Sequence, residues 1–157
     1  MKTGRLALGG AGLVFRDRQD AGEALAARLG QYRVTDALVL GLPRGGVAVA
    51  APLARALDVE LDVLVARKLG SPVSAELGIG AVTADGGRFL NDEIIHELGV
   101  SEAYIAAVTK VQQAEARRRE RIFRGDRPGP RIAGRTVILV DDGLATGATM
   151  RAAVASV

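Results

Sequence analysis

At 157 residues, 48% apolar and 25% charged, the chain has the size and composition of one globular domain with a sizeable core, not of a disordered tail. It has no cysteine, which excludes disulfides, thiolate catalysis and Cys-ligated zinc and suits a reducing cytoplasm; no apolar run reaches the ~18 residues of a membrane span. The net charge is +3 and aromatics make up 3%, so the core must be Val, Leu, Ile and Ala, a diet suited to a buried parallel sheet under alanine-rich helices.

In chain order, residues 1–14 read as a lead-in, too broken by Gly9, Gly10 and Gly12 to be a signal peptide. Residues 15–157 then read as one domain. A helix is expected over Asp17–Leu29, with Ala21, Ala24, Leu25 and Leu29 at helical spacing. The apolar stretch Ala37–Leu42 is a strand running into the turn Pro43-Arg44-Gly45-Gly46, followed by a helix over Val47–Leu57 that contains Pro52. Leu61–Ala66 is the next strand, closed by Arg67-Lys68-Leu69-Gly70-Ser71-Pro72. Ile79–Ala84 and Arg88–Leu90 form a hairpin about Asp85-Gly86-Gly87. Asp92–Leu98 is a short helix, and Ser101 caps a longer one reaching Phe123, with Glu102 at the positive end of its dipole. After a loop at Gly125–Pro130 come a strand over Thr136–Val140 and a helix from Thr146. Strands alternating with helices mark an α/β fold with a central, mostly parallel sheet. A doubly wound sheet normally continues past such a helix, so the domain is expected to be incomplete at its C-terminal end.

Val137-Ile138-Leu139-Val140 delivers two carboxylates, Asp141 and Asp142, at its carboxyl end, where ligands bind in open α/β sheets. Small residues and glycine follow, then a helix start, an arrangement whose backbone N–H groups cradle anions. Carboxylates beside an anion cradle would repel a phosphate unless they serve another group, and as acceptor-only groups they suit sugar hydroxyls. The residues therefore point to a ligand with a ribose and a phosphate.

The segment Val137–Thr149, an apolar strand, two acids and a Thr-Gly-x-Thr loop, resembles the phosphoribosyl pyrophosphate signature of the type I phosphoribosyltransferases. Phe15–Arg18, Leu42–Val47, Arg67–Gly70, Gly78–Val82 and Arg124–Pro128 extend the resemblance to a bacterial subgroup of phosphoribosyltransferase-domain proteins. It implies that Asp141 and Asp142 hold the ribose hydroxyls and that Ala145, Thr146, Gly147, Ala148 and Thr149 wrap the 5′-phosphate. Arg44, Gly45 and Gly46 would meet the pyrophosphate, Arg being suited by its planar fork. Arg67 and Lys68, expected on the same sheet edge, either add charge there or are solvated strand-end cations. Leu69–Glu76 is the expected lid. Gly143 stands where many members carry an aliphatic residue, and Ala145 stands where 6-oxopurine enzymes usually place an acid.

The implied function is transfer of a phosphoribosyl group from phosphoribosyl pyrophosphate to a nitrogenous, nucleobase-like acceptor, releasing pyrophosphate. Arg44, Lys68, Asp141 and Asp142 would be catalytic, with Mg²⁺ held through the ligand or by Asp141 and Asp142. The alternative is a sensor that binds the donor without catalysis; nucleic-acid binding through the basic helix cluster Arg117-Arg118-Arg119-Glu120-Arg121 ranks third. His96, the one histidine, has no second metal ligand at matching spacing and reads as a structural or surface residue. Many relatives dimerise, and an open sheet edge invites pairing.

Overall fold

Leu38, Val39 and Leu40 are each at most 1% exposed, so this strand is covered on both faces, as only an inner strand of a layered sheet is. The computed structural model describes residues 14–157, and the lead-in expected over residues 1–14 lies, Val14 apart, outside them. Two compact units divide the chain: one up to Val63 together with Pro130–Leu144, the other Leu64–Gly129 with Ala145–Val157.

In the first unit β1 (Leu38–Gly41) lies between β2 (Glu60–Val63) and the last strand of the chain, β6 (Val137–Val140). Both pairings are parallel, with Gly41 level with Val63 on one side and Val140 on the other. Parallel neighbours need a crossover, which α2 (Gly45–Leu57) provides between β1 and β2. Helix α1 (Arg18–Arg28) packs on α2. Its start is fixed by Asp17, whose side chain accepts the Asp20 N–H at 2.9 Å. Gly22 permits the close approach, since a Cβ there would run into Val49 O and the Pro52 ring. Phe15, Ala21, Val39, Val49, Leu53, Leu57 and Val140 form the core between these layers.

The second unit is built on an antiparallel sheet, β3 (Ala66–Gly70), β4 (Gly78–Thr83) and β5 (Arg88–Leu90), in that order. Its helices are α3 (Asp92–Glu97), α4 (Glu102–Arg124) and α5 (Ala148–Val154). Ser101 caps α4 by accepting the Tyr104 N–H at 3.2 Å, and Leu69, Ile79, Val82, Val100 and Ile105 form the core. Helix α5 packs on this sheet, with Arg151 4.8 Å above the Phe89 ring centre. No helix among the described residues is long and apolar enough to cross a membrane.

The expected strand Leu61–Ala66 is two strands. Its apolar run conceals a break at Leu64-Val65, where successive side chains are both buried and the alternation of a single strand is lost. Arg67 and Lys68 consequently lie inside β3, antiparallel to β4, and do not close a strand of the parallel sheet. The last helix also begins later than the sequence suggests, at Ala148, because Gly147 takes a left-handed φ of 76°.

Candidate functional site

The order β2-β1-β6 sets where a ligand can enter. From β1 the chain crosses to β2 on one side, while β6 flanks the other. Between β1 and β6 the connections diverge, and a crevice opens outside the carboxyl ends at such a switch point. Two loops meet there. Leu42 N–H donates to Val140 O at 2.8 Å, carrying the strand pairing one residue past β1. The Gly45-Gly46 turn then lies directly against the acid pair. A Cβ at Gly46 would sit 2.5 Å from Val140 O and 2.9 Å from Asp141 Cα, and one at Gly45 would overlap the Asp142 carboxylate. No other residue fits either position with the acids where they are.

The two carboxylates differ. Asp141 is half-buried, and burial pushes its carboxyl above the usual range; the Asp142 N–H, donated to Asp141 Oδ1 at 2.8 Å, opposes this, while the Asp142 charge adds to it. Asp142 is tied instead to α1: Arg18 donates to Oδ2 from Nε at 2.9 Å and from Nη2 at 2.6 Å. Sequence reasoning treated Arg18 only as part of the family resemblance. Nothing in its spacing signals a partner 124 positions away.

Arg44 precedes α2 and is exposed, with no hydrogen bond or ion pair among the described residues. The Pro43–Arg44 peptide is cis. Gly45 and Gly46 open the 13-residue α2, so their N–H groups are among the unpaired donors at the positive end of a helix. Basic side chain, helix N-terminus and two carboxylates thus share one edge of one unit.

In the second unit, Arg67 and Lys68 already have partners. Arg67 Nε donates to Gln112 Oε1 at 3.1 Å, and Lys68 Nζ donates to Glu76 O at 3.1 Å. With Ser71, Ala75 and Tyr104 they line a hollow of about 430 Å³. Ala145 and Thr146 are exposed, Gly147, Ala148 and Thr149 half-exposed, and Thr146 Oγ1 accepts the Ala148 N–H at 3.4 Å. His96 is exposed on α3. The basic run on α4 is spent locally: Arg118 and Arg119 both bond Glu115, holding its carboxyl down at about 2, while Arg117 Nε donates to Ala84 O at 2.8 Å. No group of three or more His, Asp or Glu gathers among the described residues; the carboxyl edge offers two.

The phosphoribosyl transferase domain family matches residues 17–157 of this chain. Two Mycobacterium tuberculosis proteins, from strains H37Rv and CDC 1551, both provisionally named as phosphoribosyl transferases, are each 48% identical over 140 residues, which is 89% of this chain and 32% of theirs. The chain therefore spans about a third of the length of these curated relatives. A crystal structure of a Thermus thermophilus protein matches with a TM-score of 0.73 at 41% identity, covering 91% of this chain and 68% of that one.

Proposed function

This chain belongs to the phosphoribosyl transferase domain family, and from that premise we propose that it binds phosphoribosyl pyrophosphate and Mg²⁺ and transfers the phosphoribosyl group to a nitrogenous, nucleobase-like acceptor. The observation that carries this reading is the interlock of the Gly45-Gly46 turn with Asp141 and Asp142 at the carboxyl ends of β1 and β6. Sugar-binding acceptors and anion-binding donors are thereby fixed to each other with no room for a side chain between them.

Asp141 and Asp142 accept hydrogen bonds from the ribose hydroxyls. The pyrophosphate is met by Arg44 and by the N–H groups opening α2. The 5′-phosphate is taken by the Ala145–Thr149 loop, which follows the acids directly in the chain. Carbon–oxygen cleavage at the anomeric carbon leaves the sugar cationic and the pyrophosphate more anionic. The carboxylates and Arg44 therefore bind most strongly what forms in the transition state, which is how binding becomes rate. Two carboxylates fit Mg²⁺, which keeps several waters and takes one or two acids plus substrate phosphates. When bound, it neutralises charge on the departing oxygens.

Calorimetric titration with phosphoribosyl pyrophosphate and Mg²⁺ tests the donor site. The wild-type chain should bind, and an Asp141→Asn, Asp142→Asn variant shown to be folded should lose at least about 100-fold, since hydrogen bonds to charged groups contribute about 1.5–3 kcal/mol each. No binding by a folded wild-type chain would sink the reading. Pyrophosphate release on adding an acceptor separates an enzyme from a sensor.

A further inference from the structure

Helix α1 reaches the carboxyl edge through its first residue. Both Nε and Nη2 of Arg18 donate to one oxygen of Asp142, Oδ2. The other oxygen, Oδ1, has no hydrogen-bond partner among the described residues, and the carboxylate lies against Gly45. Asp142 is therefore held on two sides, by a guanidinium and by the glycine backbone that opens α2.

The arginine is itself held at its root. Asp17 caps α1, and Gly22 seats that helix so close to Val49 and Pro52 that it is fixed to α2. Since α2 begins at Gly45, the two supports of the carboxylate belong to one packed pair of helices. Arg16 provides the contrast. It is 82% exposed and pairs with Asp20, four residues along its own helix start, a local contact of the kind that contributes little. The Arg18–Asp142 pair instead joins distant parts of the chain through two N–H donors, with the arginine 54% exposed and the acid as covered as Asp20.

Resting on the donor-binding reading above, we propose that Arg18 is a positioning residue of the phosphoribosyl site, locking Asp142 through Oδ2 so that Oδ1 is presented to a ribose hydroxyl. A carboxylate free to rotate about its side-chain torsions would have to be ordered by the ligand, and that cost would appear as lost affinity. Arg18 acts through Asp142 and does not touch the ligand. Lysine should replace it poorly, because a point charge lacks the planar array that places two N–H groups on one oxygen.

The test is a double-mutant cycle on affinity for phosphoribosyl pyrophosphate with Mg²⁺, read by calorimetry on wild type, Arg18→Ala, Asp142→Asn and the double variant, with melting temperatures alongside. Arg18→Ala should weaken binding about tenfold, Arg18→Lys should recover less than half of that loss on a logarithmic scale, and millimolar methylguanidinium should restore affinity to Arg18→Ala. In the Asp142→Asn background the Arg18→Ala change should matter by less than about twofold, the margin within which uncoupled effects add. If Arg18→Ala melts out, Arg18→Gln takes its place in the cycle. Wild-type binding with an unaffected Arg18→Ala overturns the positioning role and leaves the donor reading standing. An equal loss with or without Asp142 also overturns it, since the arginine would then act on the ligand or through the fold. A folded wild-type chain that does not bind overturns both.

Discussion

The two ends of the parallel sheet treat their arginines in opposite ways. At the amino end, Arg135 is only 12% exposed and donates to Asp36 O, Ala37 O, Arg131 O and Glu60 Oε2, the closest at 2.6 Å. It joins the chain entering β1, β2 and β6, satisfying carbonyls that would otherwise be left over where the ladder begins. At the carboxyl end, Arg44 stands exposed with no partner among the described residues, beside unpaired N–H groups and two carboxylates. One end is closed by hydrogen bonds, while the other, the Arg18–Asp142 pair apart, leaves its polar groups available. Stability resides in the first, and under the proposed function a ligand supplies the missing partners at the second.

That division can be broken most sharply at Gly45. A Gly45→Val substitution puts a branched side chain where the Asp142 carboxylate lies. With overpacking costs of about 1–3 kcal/mol, donor affinity measured by calorimetry should fall by about 100-fold. At the closed end, Arg135→Ala should lower stability by about 2 kcal/mol, the scale of lost charge-assisted hydrogen bonds, or roughly 4–8 °C in a thermal melt. Donor affinity per folded molecule should not change. Arg44→Ala should do the reverse, weakening pyrophosphate binding about tenfold while leaving stability within about 0.5 kcal/mol.

A smaller effect separates the two acids. Burial raises the Asp141 carboxyl above its ordinary range, so its contribution to stability is fully present below the unfolded-state value of about 3.9 and is lost as pH rises through the raised one. Asp141→Asn should therefore melt above wild type at pH 7, and the gap should close as the pH falls below the ordinary carboxylate range. The smallest change belongs to Glu115, whose carboxyl is depressed to about 2 by Arg118 and Arg119. Its contribution is present above the unfolded-state value and is lost as pH falls toward 2. Glu115→Gln should lower the melting temperature slightly at pH 7 and not at all near pH 2, because so exposed a cluster is screened by solvent.

What the sequence made legible follows from where its signals are local. Ser101 announced its helix because a cap acts within three residues. Asp85-Gly86-Gly87 announced the hairpin, with Gly86 at φ 106°. Asp141 and Asp142 were visible because strand, acids and glycine loop are contiguous, and Arg44, Gly45 and Gly46 were visible for the same reason. Arg67 and Lys68 were misplaced because a continuous apolar run does not reveal that two consecutive buried residues, Leu64 and Val65, end one strand before another begins. The hold of Arg18 on Asp142 and the close fit of Gly45 arise only when α1 and α2 pack beneath the sheet edge. No property of residues 15–18 carries that information.

The most direct measurement is a crystal structure of the chain grown with phosphoribosyl pyrophosphate and Mg²⁺. Ribose hydroxyls within hydrogen-bond distance of Asp141 and Asp142, with pyrophosphate at Arg44 and the Gly45-Gly46 turn, are the predicted result. Donor density anywhere else on the molecule, with this edge empty at saturating concentration, would contradict the assignment.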